Sequence, residues 1–243
     1  MPMSTENTPH ELPHNPAEAV DAVREEVRFG VGFLRVHWRR LLLVFAGVLL
    51  PLWGFGELAQ ELRYGRAFPF DDPLLRWANT LARAGWDVFF VRMTDLGYLY
   101  GLVPANILLV GFLALRRHMR EGLFAAVSII GSALLNLGAK QLFARERPTL
   151  WESIAPESSF SFPSGHAMGT MTLAAVLILL AWRTRWRWPV FVLAAGFTTL
   201  VGLSRIYLGV HYPSDILAGW AAAMVWAVGT YSVVFHRCRP WAD

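Results

Sequence analysis

The chain has 243 residues, 55% of them hydrophobic and 16% charged, with a mean hydropathy of +0.38, which excludes an ordinary soluble domain. A net charge of +4 and a pI near 9.6 are compatible with nucleic acid, but the arginines lie mostly beside apolar runs, so membrane topology explains them and no nucleic-acid partner is expected. The single cysteine, Cys238, excludes an intrachain disulfide and a cysteine-based metal site.

Residues 1–16 are polar and Pro-rich and are expected to form a disordered tail, with His10 and His14 solvated rather than metal-ligating. No compact charged start leads into an apolar run and a small-residue cleavage site, so no removable signal peptide is expected. Over residues 17–38, Val20, Val23, Val27, Val31 and Leu34 recur at helical spacing, with Arg24, Glu25, Glu26, Arg28 and Arg35 elsewhere around the helix. This predicts an amphipathic helix on the cytoplasmic membrane surface, with a soluble docking helix as the alternative.

Six uncharged stretches follow, at 41–56, 96–115, 122–139, 167–182, 188–204 and 216–235. Each is about 16–20 residues, near the length that crosses a bilayer core, and flanking arginines can snorkel where a stretch is short. Pro51 and Gly54–Gly56 are expected to kink or fray the first. Between the first two, residues 57–95 make a long connection in which Leu74, Leu75, Trp77, Ala78, Leu81 and Ala82 keep helical spacing after Asp72-Pro73. A helix or helical pair over the outer face is predicted there, either covering the bundle or guiding a lipid inward. Trp38, Trp182, Trp186 and Trp188 stand at segment ends, as interfacial anchors do.

The expected architecture is therefore all-α and polytopic: six transmembrane helices over residues 39–236, an N-terminal interfacial helix, a helical outer loop and a tail at 237–243. Arg35, Arg39, Arg40, Arg116, Arg117, Arg120, Arg183, Arg185, Arg187, Arg237 and Arg239 all fall on one side if the spans alternate. Both termini are thus expected in the cytoplasm, in a cell membrane.

Three polar clusters remain, and all are expected on the opposite face. Lys140 to Pro148 reads KQLFARERP, Pro163 to His166 reads PSGH, and Ser204-Arg205 is followed after five residues by His211-Tyr212-Pro213-Ser214-Asp215. Cations and imidazoles at the ends of membrane helices are costly and by default mark function. Lys140 and Arg147 are seven apart, about two helical turns if the helix persists, so both can lie on one side. Ser164 and Gly165 precede a helix whose first N–H groups can seat an anion; an ordinary cap explains Ser164 equally well. Asp215, two residues into a helix opened by Pro213, can cap that helix or orient His211, or both.

Together, K-x6-RP, PSGH and SR-x5-H-x3-D resemble the three-part signature of the type 2 phosphatidate phosphatase superfamily, which comprises integral-membrane lipid phosphatases and soluble vanadium haloperoxidases. The resemblance covers roughly residues 40–236 and is most specific from 140 to 215. It implies that Lys140, Arg147, Ser164, Gly165 and Arg205 bind phosphate. His211 is then a nucleophile oriented by Asp215, and His166 the general acid that later serves as base. It also implies no cofactor and no metal; the nearby carboxylates Glu146, Glu152, Glu157 and Asp215 form no repeated acidic ligand set.

The expected substrate is a lipid phosphate or diphosphate at the outer face, with undecaprenyl diphosphate first and phosphatidate, phosphatidylglycerol phosphate or lipid A open. Lipid phosphotransfer through the same site is the second reading, and a lipid transporter the non-enzyme alternative. Six spans argue against haloperoxidase chemistry. Trp151, Phe160 and Phe162 are expected as apolar contacts at the pocket mouth, with plain packing as the alternative. Oligomeric state is not readable from these residues.

Overall fold

A computed structural model of the chain describes residues 16–236 and 238–241. The tail expected at 1–16 lies outside them except for Pro16, as do His10, His14, Arg237 and residues 242–243. Regular structure among the described residues is entirely helical: α1 Pro16–Val44, a π-helical turn Phe45–Leu49, α2 Leu50–Arg63, α3 Asp71–Thr80, α4 Ala84–Leu96, α5 Leu102–Leu115, α6 Met119–Phe143, α7 Gly165–Ala181, α8 Arg187–Tyr207 and α9 Pro213–Val234. Two compact units emerge, Met1–Leu43 and Val44–Asp243.

In the first unit α1 runs unbroken past residue 38, so no turn separates the expected interfacial helix from the first apolar stretch. Val20, Val27, Val31 and Leu34 are exposed along it.

In the second unit, Pro51 carries no N–H, so the α-helical bond to the Gly47 carbonyl cannot form. The turn before it widens instead: the Leu50 N–H donates to the Phe45 carbonyl, five residues back. A side chain at Gly47 would come within 2.8 Å of Val228, so this turn lies close against α9. Beyond it α2 continues through Gly54 and Gly56 to Arg63, and the expected fraying does not occur.

The connection after α2 holds the helical pair α3 and α4, packed on α8. Phe90 stacks on Tyr207 at 4.3 Å, and the Tyr207 hydroxyl donates to Asp87 at 2.6 Å. The stretch expected as one helix from residue 96 is not one. Leu96 ends α4, and α5 begins at Leu102 after a turn in which Tyr100 N–H donates to the Asp95 carbonyl and Val103 N–H to that of Tyr98. α5 has 14 residues and α7 17, shorter than the spans Leu41–Arg63, α6, α8 and α9, which have the length and apolar composition to cross a membrane.

α7 is the hub, packing against α5, α6, α8 and α9. Small residues let it do so, as in helix packing within membranes generally. A Cβ on Gly219 of α9 would lie 2.9 Å from the Ser164 carbonyl, and one on Gly169 would lie 2.7 Å from Leu102. Leu113, Phe124, Val176, Leu180 and Phe235 close one end of the bundle. The other end receives the C-termini of α6 and α8 and the N-termini of α7 and α9, which is where the three polar clusters fall.

Candidate active site

α6 delivers Lys140 in its last turn and then stops. Ala144 adopts the left-handed conformation (φ 45°), donating its N–H to the Lys140 carbonyl, and Pro148 follows. The helix therefore does not persist to Arg147, which reaches the site from a loop. That loop runs back across the bundle end to α7. Lys140 ties it down, its Nζ donating to Ser159 Oγ at 2.9 Å and to the Phe160 carbonyl at 2.5 Å.

Arg205, in the last turn of α8, is 1% exposed. Its Nη1 donates to Thr94 of α4 and its Nη2 to Glu157, while its buried Nε has no hydrogen-bond partner among the described residues. Arg147 donates from Nη2 to the other Glu157 oxygen at 2.6 Å and from Nη1 to the Val210 carbonyl at 2.6 Å. His166, on the first turn of α7, stacks on Tyr98 at 5.0 Å and brings Nδ1 to 3.7 Å from Glu157.

His211 is fully buried. Its Nε2 lies 3.1 Å from Arg147 Nη1, and its Nδ1 lies 3.3 Å from Ser161 Oγ and 3.4 Å from Asp215 Oδ2. A guanidinium can only donate, so Nε2 accepts and the ring proton belongs on Nδ1, facing Asp215. Burial, then the charges of Arg205 and Arg147, push His211 well below its usual 6.5, so the ring is neutral at pH 7.

Glu157 is the centre of this arrangement. Arg205 and Arg147 grip its two oxygens, with His166 at 3.7 Å and His211 Nε2 at 4.0 Å. Burial alone would raise its pKa, but the surrounding positive charge, Arg205 foremost and Arg147 with it, outweighs that and holds it at about 2. The site thus already holds an anion between both arginines and both histidines.

The remaining expected positions are also at this end. Ser164 is the N-cap of α7, its Oγ accepting from the Ala167 N–H at 3.5 Å, while its own N–H donates to the Asp215 carbonyl at 3.1 Å. A side chain at Gly165 would meet Asn136 Oδ1 at 3.1 Å, so this glycine lets α6 and α7 approach. Asp215 caps α9, accepting from the Tyr212 N–H at 2.9 Å, and also receives Ser161 Oγ at 2.5 Å. Asp215 thus caps α9 and lies 3.4 Å from the His211 ring with the same oxygen.

Phe162 is buried against Phe143 and Phe55 rather than at the mouth, and Trp151 packs against Gly209, which has a left-handed φ of 68° and where a Cβ would meet the Trp151 ring at 2.5 Å. A cavity of about 810 Å³ opens beside Lys140, Glu157 and His166 and runs down between α5, α6 and α7 past Asn136 and Ser132.

Several residues that matter here were not singled out from sequence. Glu157 carried no motif, and Ser159, Ser161 and Thr94 lie in stretches without one. Arg145 sits inside the first cluster, two residues before the arginine of the RP pair, and Asp71 opens α3. Among the described residues, no three His, Cys, Asp or Glu side chains are grouped so as to hold a metal ion.

This arrangement can be set beside known proteins. The sequence profile of the PAP2 superfamily matches residues 121–239. The chain is 30% identical over 160 residues to phosphatidylglycerophosphatase B of Bacillus subtilis, covering 63% of this chain and 78% of that one. The chain belongs to the PAP2 superfamily.

It is also 30% identical over 156 residues to an undecaprenyl-diphosphatase of Sulfolobus acidocaldarius, covering 62% of this chain and 72% of the relative. The crystal structure of a transmembrane PAP2-type phosphatidylglycerolphosphate phosphatase from Bacillus subtilis superposes with a TM-score of 0.66 at 25% identity, over 78% of this chain and 98% of that one. The chain is a multi-pass membrane protein and an enzyme of the PAP2 lipid phosphatase class.

Proposed function

We propose that the chain hydrolyses the phosphomonoester or diphosphate of a membrane lipid at the outer face of the membrane, through a phosphohistidine on His211. The observation that carries this reading is the seat occupied by Glu157: an anion held by Arg147 and Arg205 beside both imidazoles. A substrate phosphoryl group takes that place and displaces the carboxylate. Its equatorial oxygens then meet Arg147 and Arg205, with the buried Arg205 Nε as a further donor and Lys140 as a point charge at the rim.

The neutral Nε2 of His211 attacks phosphorus while its Nδ1–H is held against Asp215. The bond to the lipid or diphosphate oxygen breaks, and His166, entering the step as an imidazolium, gives its proton to that leaving oxygen. His166, now neutral, removes a proton from water; the water oxygen attacks phosphorus, the N–P bond breaks, and inorganic phosphate leaves with His211 neutral again. Ser164 and Gly165 place the start of α7 against the phosphate.

In this reading six spans cross the membrane, α5 and α7 as shorter helices alongside the four long ones, with both termini cytoplasmic. The lipid chain enters laterally through the cavity between α5, α6 and α7. Undecaprenyl diphosphate is the first-choice substrate, in keeping with the relative named undecaprenyl-diphosphatase, and phosphatidylglycerol phosphate the second.

The positive charge that this chemistry needs comes from Lys140, Arg147 and Arg205, so turnover is expected to persist in excess EDTA. The test is phosphate release from a detergent-micelle panel of undecaprenyl diphosphate, phosphatidate, phosphatidylglycerol phosphate and lipid A, with His211→Ala as blank. Release from at least one lipid, lost by about a thousandfold or more in the variant, is the expected result. Equal rates for both proteins sink the reading.

A further inference from the structure

We propose that Arg145 and Asp71 are positioning residues that set the charge felt by His211, making the outer helix α3 part of the machinery that keeps this ring reactive. The inference rests on His211 being the nucleophile. Arg145 is largely buried and uses both ends of its guanidinium. Nη1 donates to Asp215 Oδ1 at 2.5 Å and to Ser214 Oγ at 2.8 Å, and Nη2 donates to Asp71 Oδ2 at 2.8 Å. Its plane lies over the Tyr212 ring at 4.0 Å. Asp71 in turn receives the Ser214 N–H at 2.9 Å and the Ser214 hydroxyl at 2.6 Å, so the first turn of α3 is fastened to the first turn of α9.

This network leaves Asp215 divided by its two oxygens. Oδ1 faces Arg145, while Oδ2 faces Ser161, the Tyr212 N–H and the His211 ring. Only a forked, planar cation can bind both carboxylates and stack on Tyr212 at once, which is why a lysine is no substitute. Two carboxylates opposed by one guanidinium sit behind His211. On its other sides it meets Arg147 and Glu157 from the loop and feels the charges of Arg205 from α8 and Lys140 from α6, with His166 of α7 across Glu157. Any change in the Arg145–Asp71 balance therefore alters how readily the ring accepts a proton.

The consequence is a pair of opposite shifts. Arg145→Gln leaves two carboxylates uncompensated, which favours the imidazolium, so the acid limb of kcat/KM moves to higher pH. Asp71→Asn leaves the guanidinium opposed by Asp215 alone, so the limb moves to lower pH. The double variant brings the limb back towards the wild-type position.

The experiment measures pH–rate profiles of wild type and the three variants in detergent micelles, on whichever lipid of the panel above is turned over fastest, with thermal unfolding of each protein alongside. Limbs displaced in opposite directions, by about half a pH unit or more, support the proposal. Activity losses with unmoved limbs overturn it, because a latch that only holds α3 in place lowers rates without retuning the ring. Should Arg145→Gln fail to fold, the near-isosteric Asp71→Asn decides alone: a limb that stays put or moves upward overturns the proposal. An active His211→Ala variant means instead that the underlying assignment of the nucleophile has failed.

Discussion

At the scale of single residues, the site is a contest for one anion seat. Glu157 occupies it with two charge-assisted contacts, so every incoming phosphate competes with a carboxylate already in place. Glu157→Gln removes that competitor's charge while keeping its shape. Inorganic phosphate is expected to inhibit the variant at a concentration about tenfold lower than it does the wild type, a difference of about 1.4 kcal/mol, and unchanged inhibition contradicts the competition. The pH behaviour follows from His211. Its pKa in the folded chain is depressed below 6.5 by burial and by Arg205 and Arg147, so the proposed nucleophile stays neutral as the medium becomes mildly acidic. The acid limb of kcat/KM is thus expected below pH 6.5, and a limb at or above it contradicts the depression. Stability carries the same sign: the unfolded chain takes up this proton below 6.5 and the folded chain does not, so the contribution is full above 6.5 and falls as pH drops through it. The signature positions themselves were legible, because polar groups at the ends of apolar segments stand out. Glu157 and the Asp71–Arg145 pair were not: Glu157 meets Arg205 from 48 residues away and Arg145 meets Asp71 from 74, and no local pattern records such a meeting.

At the scale of helices, the site exists because four helix ends meet. Close approach of α7 and α9 is one requirement, since a Cβ on Gly219 would lie 2.9 Å from the Ser164 carbonyl, a backbone atom that cannot turn aside. Gly219→Val is expected to cost about 1–3 kcal/mol of stability and to reduce activity more than stability explains, because it shifts Ser164 and His166 relative to His211. Thermal unfolding and turnover measured on one preparation test this; a stable variant with normal turnover contradicts it. Apolar stretches and their order were readable from sequence, as was the helical pair over residues 57–95. Boundaries set by tertiary hydrogen bonds were not. The left-handed Ala144 ends α6 before Arg147, the turn at 96–101 divides what read as one span, and a π turn absorbs Pro51 where a kink or fraying was expected.

At the scale of the whole molecule, the proposed topology puts the arginine-rich connections in the cytoplasm and the anion seat outside. In a Cys238→Ser background, a cysteine at Ser158 is expected to react with an impermeant maleimide in intact cells. One at Arg185 is expected to react only after permeabilisation, and the reverse pattern overturns the orientation. A lipid phosphatase so arranged draws its water from the outer side while the acyl or isoprenyl chain stays between helices. The central claim is that the phosphoryl group passes through His211 before water receives it. Two in-line displacements retain configuration at phosphorus, whereas direct attack by water inverts it. The most direct measurement is the stereochemical course of hydrolysis of an isotopically chiral lipid thiophosphate: retention is the predicted result, and inversion contradicts it.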